Sequence, residues 1–168
     1  MNFQKYFKDK TVLVTGSGRG IGLEITKEYL EHGAKVIAID LNIQKLLKFE
    51  NKFQNKILIE KLDLSNLEDF QDYLKKLPKN FKNINILINN AGMKSSKNLI
   101  ETDMDDLNNL INFNSIKVIE ISRILMNFSL KKNKGKLLIL DPIFLHMEQY
   151  LEPKEVGLII QLQNQWCI

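Results

Sequence analysis

Residues 15–22 have the sequence Thr15-Gly16-Ser17-Gly18-Arg19-Gly20-Ile21-Gly22, which joins an apolar run at 11–15 to an amphipathic run at 21–31. Glycine allows a sharp turn and a close approach of backbone to a pyrophosphate, and a helix that starts here points free N–H groups at the anion. We therefore expect a strand, a phosphate-binding loop and a helix. The alternative for the loop is a tight turn without a ligand.

The apolar pattern on either side of this loop predicts the rest of the fold. Short apolar runs at 11–15, 35–39, 57–62, 84–89 and 136–140 alternate with stretches of helical spacing at 21–31, 43–53, 67–77 and 107–130. Nearly continuous apolar strands that alternate with helices are typical of a parallel sheet covered on both faces. The sequence predicts an α/β fold with a doubly wound, Rossmann-like parallel sheet of about five strands, and a dinucleotide-binding domain over residues 1–140.

This alternation stops after residue 140. The remaining 28 residues, 141–168, contain Pro142, Pro153 and one short apolar run at 156–160. A complete helix-plus-strand unit needs about 30 residues, so we expect room for at most one more helix. The sheet should be incomplete at its C-terminal side, with the fifth strand at the edge. Residues 141–168 are predicted to be a tail outside the domain, disordered or with one short helix.

Asp40 ends the second predicted strand, eighteen residues after Gly22. A carboxylate there accepts hydrogen bonds from the ribose hydroxyls of adenosine and repels a 2′-phosphate. This position predicts NAD as the cofactor rather than NADP. Arg19 argues the other way, because a basic residue in the loop can meet that phosphate. The alternative for Asp40 is a cap at the end of the strand.

Four motifs in order carry a resemblance to a known family. The loop has the form T-G-x-x-x-G-x-G, and it is followed by Asp63 in L-D-L-S, by Asn89-Asn90-Ala91-Gly92, and by Asn114 in I-N-F-N. Together they resemble the short-chain dehydrogenase/reductase family over residues 10 to 140. The resemblance implies that Asp63 orients the adenine and that Asn114 holds a water next to a catalytic lysine. The residues expected at the cofactor are Thr15, Gly16, Ser17, Gly18, Arg19, Gly20, Ile21, Gly22, Asp40, Asp63, Leu64, Asn90, Ala91 and Gly92. No metal site is expected, because Cys167, His32 and His146 have no cluster of further ligands near them in the sequence.

The chemistry that the resemblance implies is hydride transfer between a nicotinamide and a small-molecule carbonyl or alcohol. In the family a tyrosine acts as general acid/base, a lysine four residues later lowers its pKa, and a serine after the fifth strand polarises the substrate. This sequence has no serine or threonine after Ser129. Tyr150 and Lys154 have the required spacing, but Pro153 would interrupt the helix that must present both.

Three hypotheses remain open at this point. The chain is an NAD-dependent oxidoreductase fragment whose catalysis is impaired, a dinucleotide-binding or interaction protein that has lost catalysis, or an active, divergent reductase that uses Tyr150 and Lys154. Cofactor binding separates the first two from a plain structural domain, and a Tyr150→Phe assay isolates the third. The substrate itself is not indicated by the sequence.

The tail is also compatible with a shifted reading frame. Only two of the 24 basic residues are arginine, and lysine, asparagine and isoleucine are plentiful, which indicates AT-rich coding DNA. When residues from Gly135 onward are back-translated with AT-rich codons and read one base earlier after Lys136, one permitted result restores a serine after the fifth strand. It also restores Tyr-x-x-x-Lys, with the tyrosine opposite Ile160 and the lysine opposite Asn164. The chain is therefore predicted to be a truncated or frameshifted product.

Composition bounds the partners. The formal charge is +4, from 24 basic and 20 acidic residues mixed along the chain, which is typical of an ordinary surface rather than of a nucleic-acid interface. Cys167 is the single cysteine, and no apolar run approaches the roughly 18 residues that span a bilayer. We expect a cytoplasmic protein without membrane or nucleic-acid partners. The usual family oligomer should not form, because its helices belong to the region after residue 140.

Overall fold

The structure is a computed structural model that describes residues 7–95, 97–98, 100–132, 137–140 and 156–157, with side chains as far as residue 129. The strands are β1 (Thr11–Thr15), β2 (Lys35–Asp40), β3 (Ile57–Lys61), β4 (Ile86–Ile88), β5 (Leu137–Leu140) and β6 (Val156–Gly157). The helices are α1 (Gly20–Glu31), α2 (Leu47–Lys52), α3 (Leu67–Lys76), α4 (Met104–Ile111) and α5 (Val118–Lys132). A 3₁₀ turn occupies Lys79–Phe81, and a π-helical turn, Asn112–Lys117, joins α4 to α5.

The six strands form one sheet in the order β3-β2-β1-β4-β5-β6, and every described pair is parallel. The chain builds outward in one direction from β1 to β3 and then returns to add β4 on the other side of β1. The order therefore reverses between β1 and β4. In open parallel sheets a ligand binds beyond the carboxyl ends of the strands at such a reversal. The doubly wound, Rossmann-like sheet predicted from the sequence is confirmed.

Two apolar layers hold the sheet, one on each face. Leu13 of β1 lies in a cluster with Phe70 and Leu74 of α3 and with Leu125 of α5. Val12 and Val14 point to the other face, where the cluster includes residues of α1 and α2. All five residues of β1 are buried, because successive side chains alternate between two covered faces. β1 is thus the central strand, and it fixes the position of the loop that follows it.

Two details differ from the sequence-based expectation. Helix α2 begins at Leu47 rather than near residue 43, because Asn42 Oδ1 accepts from the amide of Gln44 at 3.2 Å and holds the chain in a turn. The prediction that the sheet ends at the fifth strand is wrong. Val156 and Gly157 pair with β5, where Val156 lies opposite Leu137. The apolar run at 156–160 contains this strand, but the 28 residues after position 140 were expected to have room for at most one helix.

Within the part of the chain that the structure describes, no helix is both long enough and apolar enough to cross a membrane.

Candidate functional site

The loop after β1 is shaped by glycines that leave no room for side chains. Gly16 has a φ of +64°, and a Cβ there would lie 2.8 Å from Ala91 Cα. A Cβ at Gly22 would collide with the carbonyl oxygen of Gly16 and with the side-chain amide of Asn90. The turn after β1, the first turn of α1 and the segment after β4 therefore meet backbone to backbone. This close approach requires glycine and explains the spacing of the motif.

Asn90 fastens the loop to the end of β4. Its side-chain amide donates to the carbonyl oxygen of Thr15 at 3.1 Å and to that of Gly16 at 2.9 Å. These contacts cross the point where the strand order reverses. Asn89 points elsewhere: it is buried and donates to the hydroxyl of Ser122 on α5 at 2.9 Å. The two asparagines thus connect the loop and a covering helix to the same strand.

The hydroxyl of Thr15 is a second fastening beneath the loop. It donates to the carbonyl oxygen of Ile88 at 3.2 Å and accepts from the amides of Asn90 and Ala91, both at 3.0 Å. Thr15 is only 1% exposed, so these bonds form away from water. A buried hydroxyl with three backbone partners sets the position of the segment Asn90–Gly92 relative to β1. That segment forms one wall of the cleft.

Helix α1 offers an anion-binding end at the same place. It begins at Gly20 after the N-cap residue Arg19, whose side chain makes no cap hydrogen bond, and its first turn contains no acidic residue. The first intrahelical amide is that of Leu23, which donates to the carbonyl of Arg19 at 3.3 Å. The amides of Gly20, Ile21 and Gly22 therefore lack helical partners, as in the first turn of any helix. Such amides, with the positive end of the helix dipole, favour a phosphate.

Asp40 closes the opposite side of the loop. Its Oδ2 accepts from the amide of Gly18 at 2.7 Å, and its Oδ1 accepts from the amide of Asn42 at 2.8 Å. Ser17 is docked beside it, because its amide and its hydroxyl both donate to the carbonyl oxygen of Ile39, at 3.2 and 3.1 Å. The carboxyl end of β2 thus holds the middle of the loop.

These elements enclose a cleft of about 810 Å³ at the carboxyl edge of the sheet. That volume lies in the range of small-molecule and cofactor sites. Most of the residues predicted from the sequence line it, whereas Thr15, Ser17 and Gly22 are buried and do not. The lining residues that were predicted are Gly16, Gly18, Arg19, Gly20, Ile21, Asp40, Asp63, Leu64, Asn90, Ala91 and Gly92.

Seven further lining residues were not predicted: Ile39, Leu41, Asn42, Gln44, Lys45, Leu62 and Phe113. Most of them flank Asp40 or Asp63 in the chain, and Asn42 carries a signal that could have been used. An asparagine two residues after a strand-ending aspartate favours a turn that folds back over the strand end. Phe113 carries no comparable signal, because its position depends on the π-helical turn. Asp63 itself caps its own loop, where its Oδ1 accepts from the amide of Ser65 at 2.9 Å.

Asn114 lies within the π-helical turn between α4 and α5. Both ends of its side-chain amide bond the backbone of Met93: Oδ1 accepts from the amide at 2.7 Å, and Nδ2 donates to the carbonyl at 2.7 Å. Asn114 therefore fixes the segment that follows Gly92 at the edge of the cleft. Single π-helical turns within helices are frequent at functional sites. The predicted helix over 107–130 is confirmed, with this turn inside it.

The candidate catalytic pair cannot be placed in the same way. Tyr150 and Lys154 lie outside the described residues. Among the residues that are described, no group of three or more histidine, cysteine, aspartate or glutamate side chains could hold a metal ion.

Sequence comparison identifies a family and several relatives of this chain. The sequence profile of the family described as short chain dehydrogenase matches residues 10–141. An NADP-dependent 3-hydroxy acid dehydrogenase from Schizosaccharomyces pombe is 32% identical over 139 residues, which are 77% of this chain and 52% of that protein. An NAD(+) 15-hydroxyprostaglandin dehydrogenase from Rattus norvegicus is 30% identical over 132 residues, 76% of this chain and 47% of that protein. The chain spans about half the length of the curated relatives that it matches.

Solved structures of dehydrogenases have a similar fold. A short chain dehydrogenase from Leptospira borgpetersenii with bound NAD+ superposes with a TM-score of 0.72 at 26% identity, over 86% of this chain and 56% of that one. The closed form of a serine dehydrogenase complexed with NADP+ superposes with a TM-score of 0.67 at 27% identity, over 77% of this chain and 53% of that one.

Proposed function

Because this chain belongs to the short-chain dehydrogenase family, we propose that it binds a nicotinamide dinucleotide in the cleft beyond β1, β2 and β4. When bound, the dinucleotide supplies or accepts the hydride in a reaction of a small-molecule alcohol or carbonyl compound. The single observation that carries the proposal is the close packing of Gly16, Gly22 and Asn90, which brings the free amides at the start of α1 to the wall of the cleft. The amides at the start of α1 suit a diphosphate.

The residues divide into groups by what they would hold. Gly20 and Ile21 would hold the diphosphate, and Asp63 and Leu64 would flank the adenine at the mouth of the cleft. Backbone at the segment Asn90–Gly92 would lie against the remaining part of the cofactor. A titration of NADH into the chain, followed by nicotinamide fluorescence, tests this assignment. Saturable binding supports it, and its absence from the folded chain refutes it.

The cofactor preference that we propose is NAD over NADP. Asp40 lies at the cleft and holds its carboxylate close to the loop, where a 2′-phosphate would meet its negative charge. Arg19 also lines the cleft and would reduce the penalty. The named relatives include both NADP-dependent and NAD(+) enzymes. NADH should bind at least about tenfold more tightly than NADPH, a gap of about 1.4 kcal/mol, and an equal or reversed preference would count against Asp40.

We propose further that catalysis by this chain is impaired. The described residues retain Asn114 of the family's catalytic set, whereas Asp141-Pro142 follows β5 where the family has its serine. This absence of serine favours the second candidate function, a dinucleotide-binding or interaction protein without turnover. Tyr150→Phe separates the third hypothesis from both: a loss of measurable reductase activity would support a catalytic Tyr150. An undetectable rate in both proteins would support impairment, whereas a measurable rate that Tyr150→Phe leaves unchanged would count against both impairment and a catalytic Tyr150.

We propose that a shifted reading frame explains why the resemblance to the family stops at the start of the tail. In one permitted back-translation, a serine and a Tyr-x-x-x-Lys reappear together when the frame is shifted after Lys136. The shift would fall within a lysine-rich run that AT-rich codons would encode with adenine tracts. The coding DNA around Lys134 to Lys136 decides between the two frames. An open, family-like downstream frame supports the shift, and scattered stop codons in that frame refute it.

A further inference from the structure

We propose that Asp40 is a positioning residue for the phosphate loop, in addition to the ribose contact and charge discrimination that the proposed function gives it. Its carboxylate bridges two backbone segments, with one oxygen on the amide of Gly18 and the other on the amide of Asn42. The bridge would hold the loop in its binding shape before any ligand arrives. This inference rests on the cleft being a dinucleotide site, but part of its test does not.

The packing around Gly18 supports the bridge. Gly18 is buried, and a Cβ there would collide with the carbonyl oxygen of Asn42 and lie 2.7 Å from Asp40 Cγ. The amide of Gly18 donates to Asp40 Oδ2 and is therefore not directed at an anion in the cleft. Anion binding is left to the amides at the start of α1, whose position depends on how firmly residues 17 and 18 are held. Each carboxylate oxygen still has a lone pair for a ribose hydroxyl.

The two roles of Asp40, as a hydrogen-bonded bridge and as a negative charge, predict opposite effects of its removal on the binding of an anion. If Asp40 acts only through its charge, removing it lowers the repulsion and tightens the binding of inorganic pyrophosphate. If Asp40 organises the loop, removing it weakens that binding in spite of the lost charge. Asp40→Ala and Asp40→Asn lose the same charge, but the asparagine keeps one acceptor oxygen for an amide. A difference between these two variants therefore reports the hydrogen bonding and packing of the side chain and not its charge.

The experiment combines amide hydrogen exchange in the free protein with a pyrophosphate titration followed by amide chemical shifts. We expect exchange of the Gly18 amide to be about tenfold faster in Asp40→Ala and less accelerated in Asp40→Asn, as for the loss of a hydrogen bond to a charged group. The Leu13 amide in β1 should be unchanged, which shows that the fold is intact. Pyrophosphate should bind about fivefold more weakly to Asp40→Ala, with partial rescue by asparagine.

Glu50→Ala is the control for a lost carboxylate, because Glu50 is exposed on α2 and does not line the cleft. It should bind pyrophosphate as well as the unaltered chain or better. Both NADH and NADPH should lose affinity in Asp40→Ala, while the gap between them narrows.

Two results would overturn the inference: Gly18 exchange that is equal with and without the carboxylate, or pyrophosphate binding that is tightened equally by both Asp40 variants. If Asp40→Ala does not fold, Asp40→Asn against the unaltered chain carries the same comparison. If the unaltered chain binds neither NADH nor pyrophosphate, the proposed function fails, and the exchange measurement still decides whether Asp40 holds the loop.

Discussion

Thr15→Val tests the hydroxyl that joins β1 to the wall of the cleft. Valine has nearly the same shape as threonine, so the substitution keeps the packing and removes three hydrogen bonds. It leaves two backbone amides, those of Asn90 and Ala91, without the oxygen they donate to. An unsatisfied buried donor costs about 1–3 kcal/mol, and these two are partly buried, so we expect a loss of about 2–4 kcal/mol. That is a large part of the stability of a small domain, which is about 5–15 kcal/mol.

The assay is equilibrium unfolding in urea, with Thr11→Val as the matched control. Thr11 starts the same strand and is 3% exposed, and its described hydrogen bonds run through its backbone to Asn85. Thr11→Val should therefore cost less than about 1 kcal/mol. Thr15→Ser keeps the hydroxyl and should recover most of the loss. Equal destabilisation by the two valine substitutions would refute the assignment of the Thr15 hydroxyl as a structural fastening.

Three further outcomes are expected elsewhere in the fold. Burial, together with the negative charge of Glu60, raises the pKa of Tyr73 well above its usual 10.0. Because the tyrosine of the unfolded chain ionises first, the free energy of unfolding should fall as the pH rises above about 10. Urea unfolding at alkaline pH should show a smaller fall of that free energy in Tyr73→Phe. Asn66 caps α3 by accepting from the amides of Glu68 and Asp69, so Asn66→Ala should cost about 1 kcal/mol in thermal or urea unfolding and Asn66→Asp much less. The usual family oligomer should be absent, and a stable dimer or tetramer in sedimentation would contradict that expectation.

The fold could be predicted far along the chain because the relevant signals are local. Every residue of β1 is apolar or threonine, and the glycines after it indicate a tight loop between a strand and a helix. The first strand, loop and helix were therefore placed within a residue of their observed bounds. The start of α4 is also defined locally, because Asp103 accepts from the amide of Asp106, three residues later.

The rest depended on contacts between distant segments. Nothing in residues 112–117 announces a π-helical turn, which becomes visible only when Asn114 is seen to bind the backbone of Met93, 21 residues earlier. The double engagement of Asp40 depends on how the β1 loop meets the end of β2. The pairing of β6 with β5 joins residues that are about twenty positions apart through two residues only. The periodicity of apolar residues in a sequence does not reveal contacts of this sort.

The most direct test of the central claim is calorimetric titration of NADH into the unaltered chain, Gly22→Ala and Gly33→Ala. Gly22 is constrained by space, because a Cβ there would collide with Gly16 and Asn90 at the cleft. Gly33 has a φ of +87° and lies away from the cleft, with its nearest atom, Lys8 Cα, 3.8 Å from such a Cβ. We expect one NADH per chain, affinity at least about tenfold weaker in Gly22→Ala, and unchanged affinity in Gly33→Ala. Absence of saturable binding to the folded chain, or equal affinity in all three proteins, would contradict it.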